Sequence, residues 1–312
     1  MRLNTEMDPT VYCIGETVLD IIFSEGRPES AVPGGSMLNS AVSLARSGLN
    51  VELISEYGND PPGDIIADFL QKNNVGTRFI NRYDDGKTAI ALAFLDQKRN
   101  ATYSFHKSYP QVRLKDPLPL TGKGDVILFG SIYSITAGIH DKIIPWVKKA
   151  RAMGTLIVYD PNFRKSHLEM LEKVRPWIAE NLALADMVRG SDEDFSTIFA
   201  LQKPDAVRNK LLSLGCKNLI ITRNSKSLVA WFYDLHMTVK IPNVKPLIST
   251  IGAGDSFNAG LIYALVSGGF TLTNLGDSEA RKIIGSGISF ASDVCKSIEN
   301  YISSGFSKTL RS

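Results

Sequence analysis

The residues Ser249-Thr250-Ile251-Gly252-Ala253-Gly254-Asp255 concentrate more chemistry than any other stretch of the chain. They lead directly into residues 257–268, where Phe257, Leu261, Ala264 and Leu265 recur at i, i+4, i+7 and i+8, the apolar spacing of an amphipathic helix. The glycines therefore fall at a helix start. Two glycines around one alanine let the backbone turn tightly and approach a ligand, and the N–H groups of a first helical turn lack intrahelical acceptors. Such a turn suits a phosphate. An acid at the same mouth repels an anion unless it takes a proton from a hydroxyl that attacks the phosphorus, which makes Asp255 a candidate base. Taken alone, these residues fit equally a glycine turn with Asp255 as an ordinary helix cap.

A hydroxyl-bearing ligand needs a site of its own. Gly34-Gly35-Ser36 opens a second helical pattern over 36–47, and its glycine pair lets the backbone lie against a sugar. Asn39, one turn in, offers a donor and an acceptor to hydroxyls. Asp20, shortly after Gly15-Glu16, can accept further hydroxyl bonds, or stand as a solvated loop carboxylate. Asp160-Pro161-Asn162-Phe163-Arg164 follows a buried strand, the place where open α/β sheets bind ligands. Arg164 has the planar fork for a substrate oxygen or phosphate, while Asp160 and Asn162 also fit a turn that satisfies local backbone groups. Thr222, Asn224 and Ser227 end another strand and can serve a nucleotide, although Asn224 also suits a left-handed turn. Gly86-Lys87-Thr88 imitates the end of a P-loop, but the earlier glycine would fall at Asn81 and no helix follows. The four histidines lack ligand spacing; His106 alone falls where it could reach a substrate.

The elements that must position these groups alternate. Strands are expected at 11–14, 51–55, 125–129, 156–159, 187–189 and 219–222, interleaved with helices at 36–47, from Asp60-Pro61, and at 137–153, 168–184, 204–214, 255–267 and 278–294. That succession implies a largely parallel sheet covered by helices on both faces. Two β-rich runs, 88–95 and 101–105, hinge at 97–100 and interrupt it. They read as a hairpin belonging to a small β lid, approached earlier by 19–23 and a loop rich in Gly, Pro and Ser. Residues 228–233 and 237–241 form a second hairpin.

Composition narrows the classes. The 312 residues carry a net charge of +3 with no basic run, which leaves no reason to expect nucleic acid or an anionic membrane as partner. Cys13, Cys216 and Cys295 are few and scattered, and read as thiols rather than as a disulfide framework or zinc site. Residues 1–10 lack the apolar core of a signal peptide, so a cytoplasmic protein is expected.

Thr250, Gly252, Ala253, Gly254 and Asp255 resemble the second signature of the phosphofructokinase B (ribokinase-like) carbohydrate kinases, Asp-Thr-any-Gly-Ala-Gly-Asp. Gly34-Gly35 with Asn39 resembles the first, and the two stand in the expected order. The resemblance implies one ribokinase-like domain over 1–312: a three-layer α/β/α sandwich with lid segments at about 17–33 and 87–107. It implies Asp255 as catalytic base and Gly252, Ala253 and Gly254 as the anion hole. Asp20, Gly34, Gly35, Asn39 and Arg164 would bind sugar. Thr222, Asn224, Ser227 and Thr250 would serve ATP. Mg²⁺ would accompany the nucleotide, with Asp194 (in place of the family's Glu) acting through water, and the lid would offer a homodimer contact. Ser249 replaces the signature's first Asp, which in relatives helps organise a potassium site, so activation by a monovalent cation is in doubt. The run Asp160 to Arg164 with Gly15-Glu16 resembles the fructokinase-like branch and implies fructose as substrate. Ketodeoxygluconate, ribose or a nucleoside, and a silent sugar-binding relative, stand as alternatives.

Overall fold

The computed structural model describes residues 8–96, 101–223 and 226–311. In chain order the strands are β1 (Thr10–Ile14), β2 (Val18–Ser24), β3 (Arg27–Gly34), β4 (Asn50–Gly58), β5 (Gly76–Tyr83), β6 (Lys87–Leu95), β7 (Ala101–Ser108), β8 (Val126–Gly130), β9 (Leu156–Asp160), β10 (Met187–Ser191), β11 (Asn218–Arg223), β12 (Ser227–Phe232) and β13 (Leu235–Lys240). The helices are α1 (Ser36–Ser47), α2 (Pro61–Lys72), α3 (Ile139–Ala152), α4 (Leu171–Leu184), α5 (Asp192–Phe199), α6 (Pro204–Ser213), α7 (Ala253–Ser267), α8 (Asp277–Val294) and α9 (Ser304–Arg311).

Nine strands form one sheet in the order β13-β12-β11-β10-β9-β8-β1-β4-β5, parallel from β11 to β5 with an antiparallel hairpin at the β13 edge. Its central strands are buried on both faces, the edge strands β5 and β13 less so, and successive side chains separate into two cores. Val126 and Leu128 of β8 join the core beneath α1, α2, α7 and α8, whereas Ile127 and Phe129 join the core beneath α3, α4, α5 and α6. This is the expected three-layer α/β/α arrangement. After β5 the chain returns to the other side of β1 to lay down β8, so the strand order reverses at β1 and opens a crevice at the strands' C-terminal ends.

The lid is a separate four-stranded sheet, β3-β2-β6-β7, in which β2 runs parallel to β6. The expected hairpin is therefore half of the lid. Residues 27–34, read as a loop, form β3 because Pro28 and Pro33 sit on an edge strand, where a missing N–H costs no ladder bond. The hinge at 97–100 lies outside the described residues. Gly86-Lys87-Thr88 enters β6 and has no P-loop geometry.

Four further elements depart from the sequence reading. β5 follows a short turn after α2 and pairs with β4 in spite of its exposed residues. Asp192 to Phe199, an acidic stretch with few apolar positions, becomes α5 through a capping box between Ser191 and Asp194. α9 follows α8 and packs beside α1, where Arg311 bonds the Ala45 and Arg46 carbonyls. α7 is not amphipathic: Ser256 to Ile262 are all buried, because α1 and α8 cover it from both sides. Among the described residues no helix is long and apolar enough to cross a membrane.

The α7–α8 crossing is close enough to forbid a side chain. A Cβ on Gly260 would stand 2.6 Å from the Ser286 carbonyl oxygen and 2.8 Å from the Gly287 Cα. Gly260→Ala is expected to destabilise the protein by about 1–3 kcal/mol, an overpacking cost, read as a lowered urea midpoint.

Candidate active site

Gly252 precedes α7 at φ 77, a conformation strained for any L side chain, and a Cβ there would collide with the Asn300 backbone. The Ala253 N–H donates to the Thr250 carbonyl at 3.3 Å and the Ser256 N–H to the Gly252 carbonyl at 2.9 Å, closing the turn. The amides of Gly254 and Asp255 find no acceptor among the described residues, as first-turn geometry requires. Of these three amides, those of Gly254 and Asp255 are thus the ones left to meet an anion, with that of Ala253 spent on the turn.

Asp255 makes no cap. Its carboxylate accepts a hydrogen bond from Asn39 Nδ2 at 2.8 Å, across 216 residues of chain, and its carbonyl accepts one from Ser40 Oγ at 2.9 Å. One turn deeper, the hydroxyls of Ser43 and Ser256 meet at 3.0 Å. Small side chains let α1 and α7 lie against each other, so the two glycine turns open side by side. Burial is the main reason that the Asp255 carboxyl is pushed up to about 6. The Asn39 bond, Arg189 and Arg164 oppose that shift, and Asp160 adds to it.

The second turn is equally constrained. Gly35 has φ 127, and a Cβ on it would meet the Glu16 carbonyl; a Cβ on Gly34 would meet the Asp20 carboxylate. Asp20 therefore lies directly on the Gly-Gly turn, and burial raises its carboxyl to about 6. Asn39 Oδ1 is buried without a partner among the described residues. Two acceptors, the Asp20 carboxylate and Asn39 Oδ1, are thus available to hydroxyl donors. From the lid, Tyr103 and Phe105 stack in parallel, centroids 5.9 Å apart and 13° between planes. Tyr103 feels the charges of Asp20 and Arg164, which sets this face of β7 toward the site. Lys107, on the same face by the period of two, bonds Glu16 at 2.9 and 3.0 Å. His106 belongs to the opposite face, beside Ser104 at 3.3 Å.

On the other side of α7, strands β9, β10 and β11 end together. Asp160 Oδ1 accepts from the Asn162 amide at 3.0 Å, the local turn expected of it. Its Oδ2 accepts from Arg189 Nη1 at 3.0 Å and from Asn258 Nδ2 at 2.6 Å, and these are long-range bonds. Thr222 Oγ1 receives Arg189 Nη2 at 2.9 Å, so its hydroxyl faces a protein partner. Asp194 Oδ2 takes the amide and hydroxyl of Ser191 at 2.7 and 2.6 Å. Burial, then Asp160, raises the Asp194 carboxyl. A cavity of about 380 Å³ lies between Asn162, Arg164, Arg189, Ser191, Glu193 and Asp194. Arg164 is exposed at its edge, with no side-chain partner among the described residues.

The structure therefore gathers Asp20, Gly34, Gly35, Asn39, Gly252, Ala253, Gly254 and Asp255 at one mouth, with Arg164, Asp194 and Thr222 beside it. Thr250 contributes its carbonyl to the turn, and its side chain is exposed. Ser227 pairs with Lys240 and stands opposite Arg223 in the β12 edge hairpin. Asn224 lies outside the described residues. The motif reading passes over Arg189 and Asn258. Arg189 had a visible signal, a lone cation in an otherwise buried parallel strand. Asn258 lies three residues past Asp255, on the same helix face.

The model of the pfkB family carbohydrate kinases matches residues 8–276. The chain belongs to that family. It is similar to "Probable fructokinase-7" of Arabidopsis thaliana, 29% identical over 276 residues that cover 84% of this chain and 80% of that protein. Two solved structures share the fold at 20% identity and a TM-score of 0.82. One is aminoimidazole riboside kinase from Salmonella enterica with aminoimidazole riboside and an ATP analog, covering 97% of this chain and 98% of that one. The other is a fructokinase double mutant from Vibrio cholerae O395 with fructose, ADP and potassium, covering 94% of each chain.

Two carboxyls raised from 3.8 to about 6 make a thermodynamic prediction. Between those values the folded chain holds protons that the unfolded chain has released, so stability from Asp20 and Asp255 is fully present near pH 3.8 and is lost as pH rises through about 6. Asp255→Asn removes one of these charges. It is expected to raise the melting temperature at about pH 8 and to lose that advantage as pH falls below about 6, read by thermal melts across the range.

Proposed function

We propose that this carbohydrate kinase transfers the γ-phosphoryl group of ATP to a primary hydroxyl of a monosaccharide, with fructose, giving fructose 6-phosphate, as the substrate. The observation that carries the reading is Asp255. A desolvated carboxylate stands at an anion-binding helix start and is held by an asparagine from the adjacent sugar-type turn. In this reading the sugar lies on Gly34-Gly35 with hydroxyls donated to Asp20 and Asn39 Oδ1. Its reacting oxygen gives its proton to Asp255, forms the bond to the γ-phosphorus and displaces ADP in line. The Gly254 and Asp255 amides take the charge that grows on the phosphoryl oxygens, each such donor being worth about 3 kcal/mol in a transition state.

No group of three or more His, Cys, Asp or Glu side chains is placed to hold a metal among the described residues. Glu193 and Asp194 beside the cavity offer hard oxygens, which fits a Mg²⁺ held mainly by ATP oxygens and water, screening the phosphate charge when bound. Closure of the lid excludes water, and Lys107 with Glu16 ties β7 to the core on the sugar side. The outer lid face, where Phe23 and Phe94 stack at 5.0 Å, offers an apolar contact for a second copy, to be tested by light scattering of the purified protein.

The stacked, exposed rings of Tyr103 and Phe105 favour one second reading, a riboside whose planar base lies on them. The deciding experiment measures ADP release with Mg-ATP against fructose, ribose, ketodeoxygluconate, tagatose, adenosine and aminoimidazole riboside, with and without potassium. Fructose is expected to give the highest kcat/KM. A riboside ahead of fructose selects the second reading, and no turnover on any acceptor overturns the kinase reading for these substrates. Asp255→Asn is expected to keep sugar binding and to lose about 10²–10⁴ in kcat, and the wild-type rate should fall as pH drops below about 6.

A further inference from the structure

Arg189 is only 9% exposed, and burying a guanidinium is costly unless its N–H groups are paired. Here Nη1 pairs with Asp160 and Nη2 with Thr222, and Asp160 is itself held by Asn258 and the Asn162 amide. The bonds tie the ends of β9, β10 and β11 to α7. Such a buried pair is a poor device for stability alone, since apolar side chains of similar volume usually serve as well. The guanidinium instead ends against the phosphate-type turn. A Cβ on Gly254 would stand 2.9 Å from Nη1 and 3.2 Å from Nη2, and the ring of Phe257, one turn on, lies 5.7 Å from Cζ. Its Nε is buried with no partner among the described residues, and the same residue lines the cavity that Arg164 edges. Two arginines line that cavity together with Glu193 and Asp194, and the Gly254 turn, whose Gly254 and Asp255 amides find no acceptor among the described residues, lies against the guanidinium of one of them. The guanidinium and the turn together make a donor set for a multiply charged phosphate.

We propose that Arg189 contacts the transferred phosphoryl group beside the Gly254 turn, and that Asp160, steadied by Asn258, is the positioning residue that aims it. The inference rests on the kinase reading for its ligand. Thr222, in consequence, acts on the nucleotide through Arg189. Arg164 supplies a second and looser charge from the exposed side of the cavity.

The test compares Arg189→Gln, Arg189→Lys and Asp160→Asn with the wild type. Calorimetry first gives the Kd of the Mg complexes of ADP and of a non-hydrolysable ATP analogue, with no sugar required. Arg189→Gln is expected to weaken the analogue by about tenfold to a hundredfold and ADP by less than about threefold, with Arg189→Lys in between. Equal losses for both nucleotides, or none, overturn the proposal and leave Arg189 a strut. Should Arg189→Gln not fold, Arg189→Lys decides by the same ratio of affinities.

The second readout is the pH profile of kcat/KM. Besides burial, Asp255 is influenced by Asn39, Asp160, Arg189 and Arg164. Asp160→Asn should move the acid limb to lower pH and Arg189→Gln to higher pH, opposite displacements that a shared loss of structure does not produce. Displacement in one direction by both variants overturns the pairing. If the wild type turns over no acceptor, the kinase reading fails, and the two nucleotide affinities still decide the role of Arg189.

Discussion

The arrangement depends on one helix contact. α1 and α7 meet through Ser40, Ser43 and Ser256, side chains small enough for the helices to lie close and polar enough to bond across the seam. That approach sets the Gly34-Gly35 turn beside the Gly252–Asp255 turn and delivers Asn39 Nδ2 to the Asp255 carboxylate. Each turn alone is a glycine-rich helix start. Together they are the two halves of the proposed site, one for a hydroxyl and one for a phosphate. α8 holds α7 from behind, and the glycine crossing at Gly260 and Gly287 keeps that packing tight.

The same burial that organises the site strains its charges. Asp20 and Asp255 are both pushed up to about 6 because water is largely removed from them, and Asp194 is raised for the same reason. Of these site carboxyls, Asp160 is the one matched by a buried cation among the described residues, Arg189. A carboxylate that costs free energy to ionise is a better proton acceptor than a solvated one, so the proposed chemistry and the instability have one origin. On the lid, the Tyr103 ring, stacked on Phe105, lies near enough to Asp20 and Arg164 to feel their charges.

Much of the fold was legible because its signals are local. The strands of the central sheet are short apolar runs, and the helices between them carry periodic apolar faces. β3 and β5 were not legible, since proline tolerance at a sheet edge and pairing along an exposed strand depend on neighbours; the Ser191–Asp194 capping box that starts α5 is local and was passed over. α7 was legible as a helix but not as a buried one; its small residues read as neutral until α1 and α8 enclose them.

The sequence by itself determined the backbone requirements of the site. Only glycine tolerates φ 77 at Gly252 or the approach of the Glu16 carbonyl at Gly35, and the acid that follows the first of these turns is covalently placed. Tertiary structure alone decided what those groups touch. Asn39 reaches Asp255, and Arg189 reaches Asp160 and Thr222, because three parallel strands end at one level and two helices start at one edge. The charge state of a carboxyl follows from how much water its surroundings exclude and which charges face it, and no local pattern of residues records that.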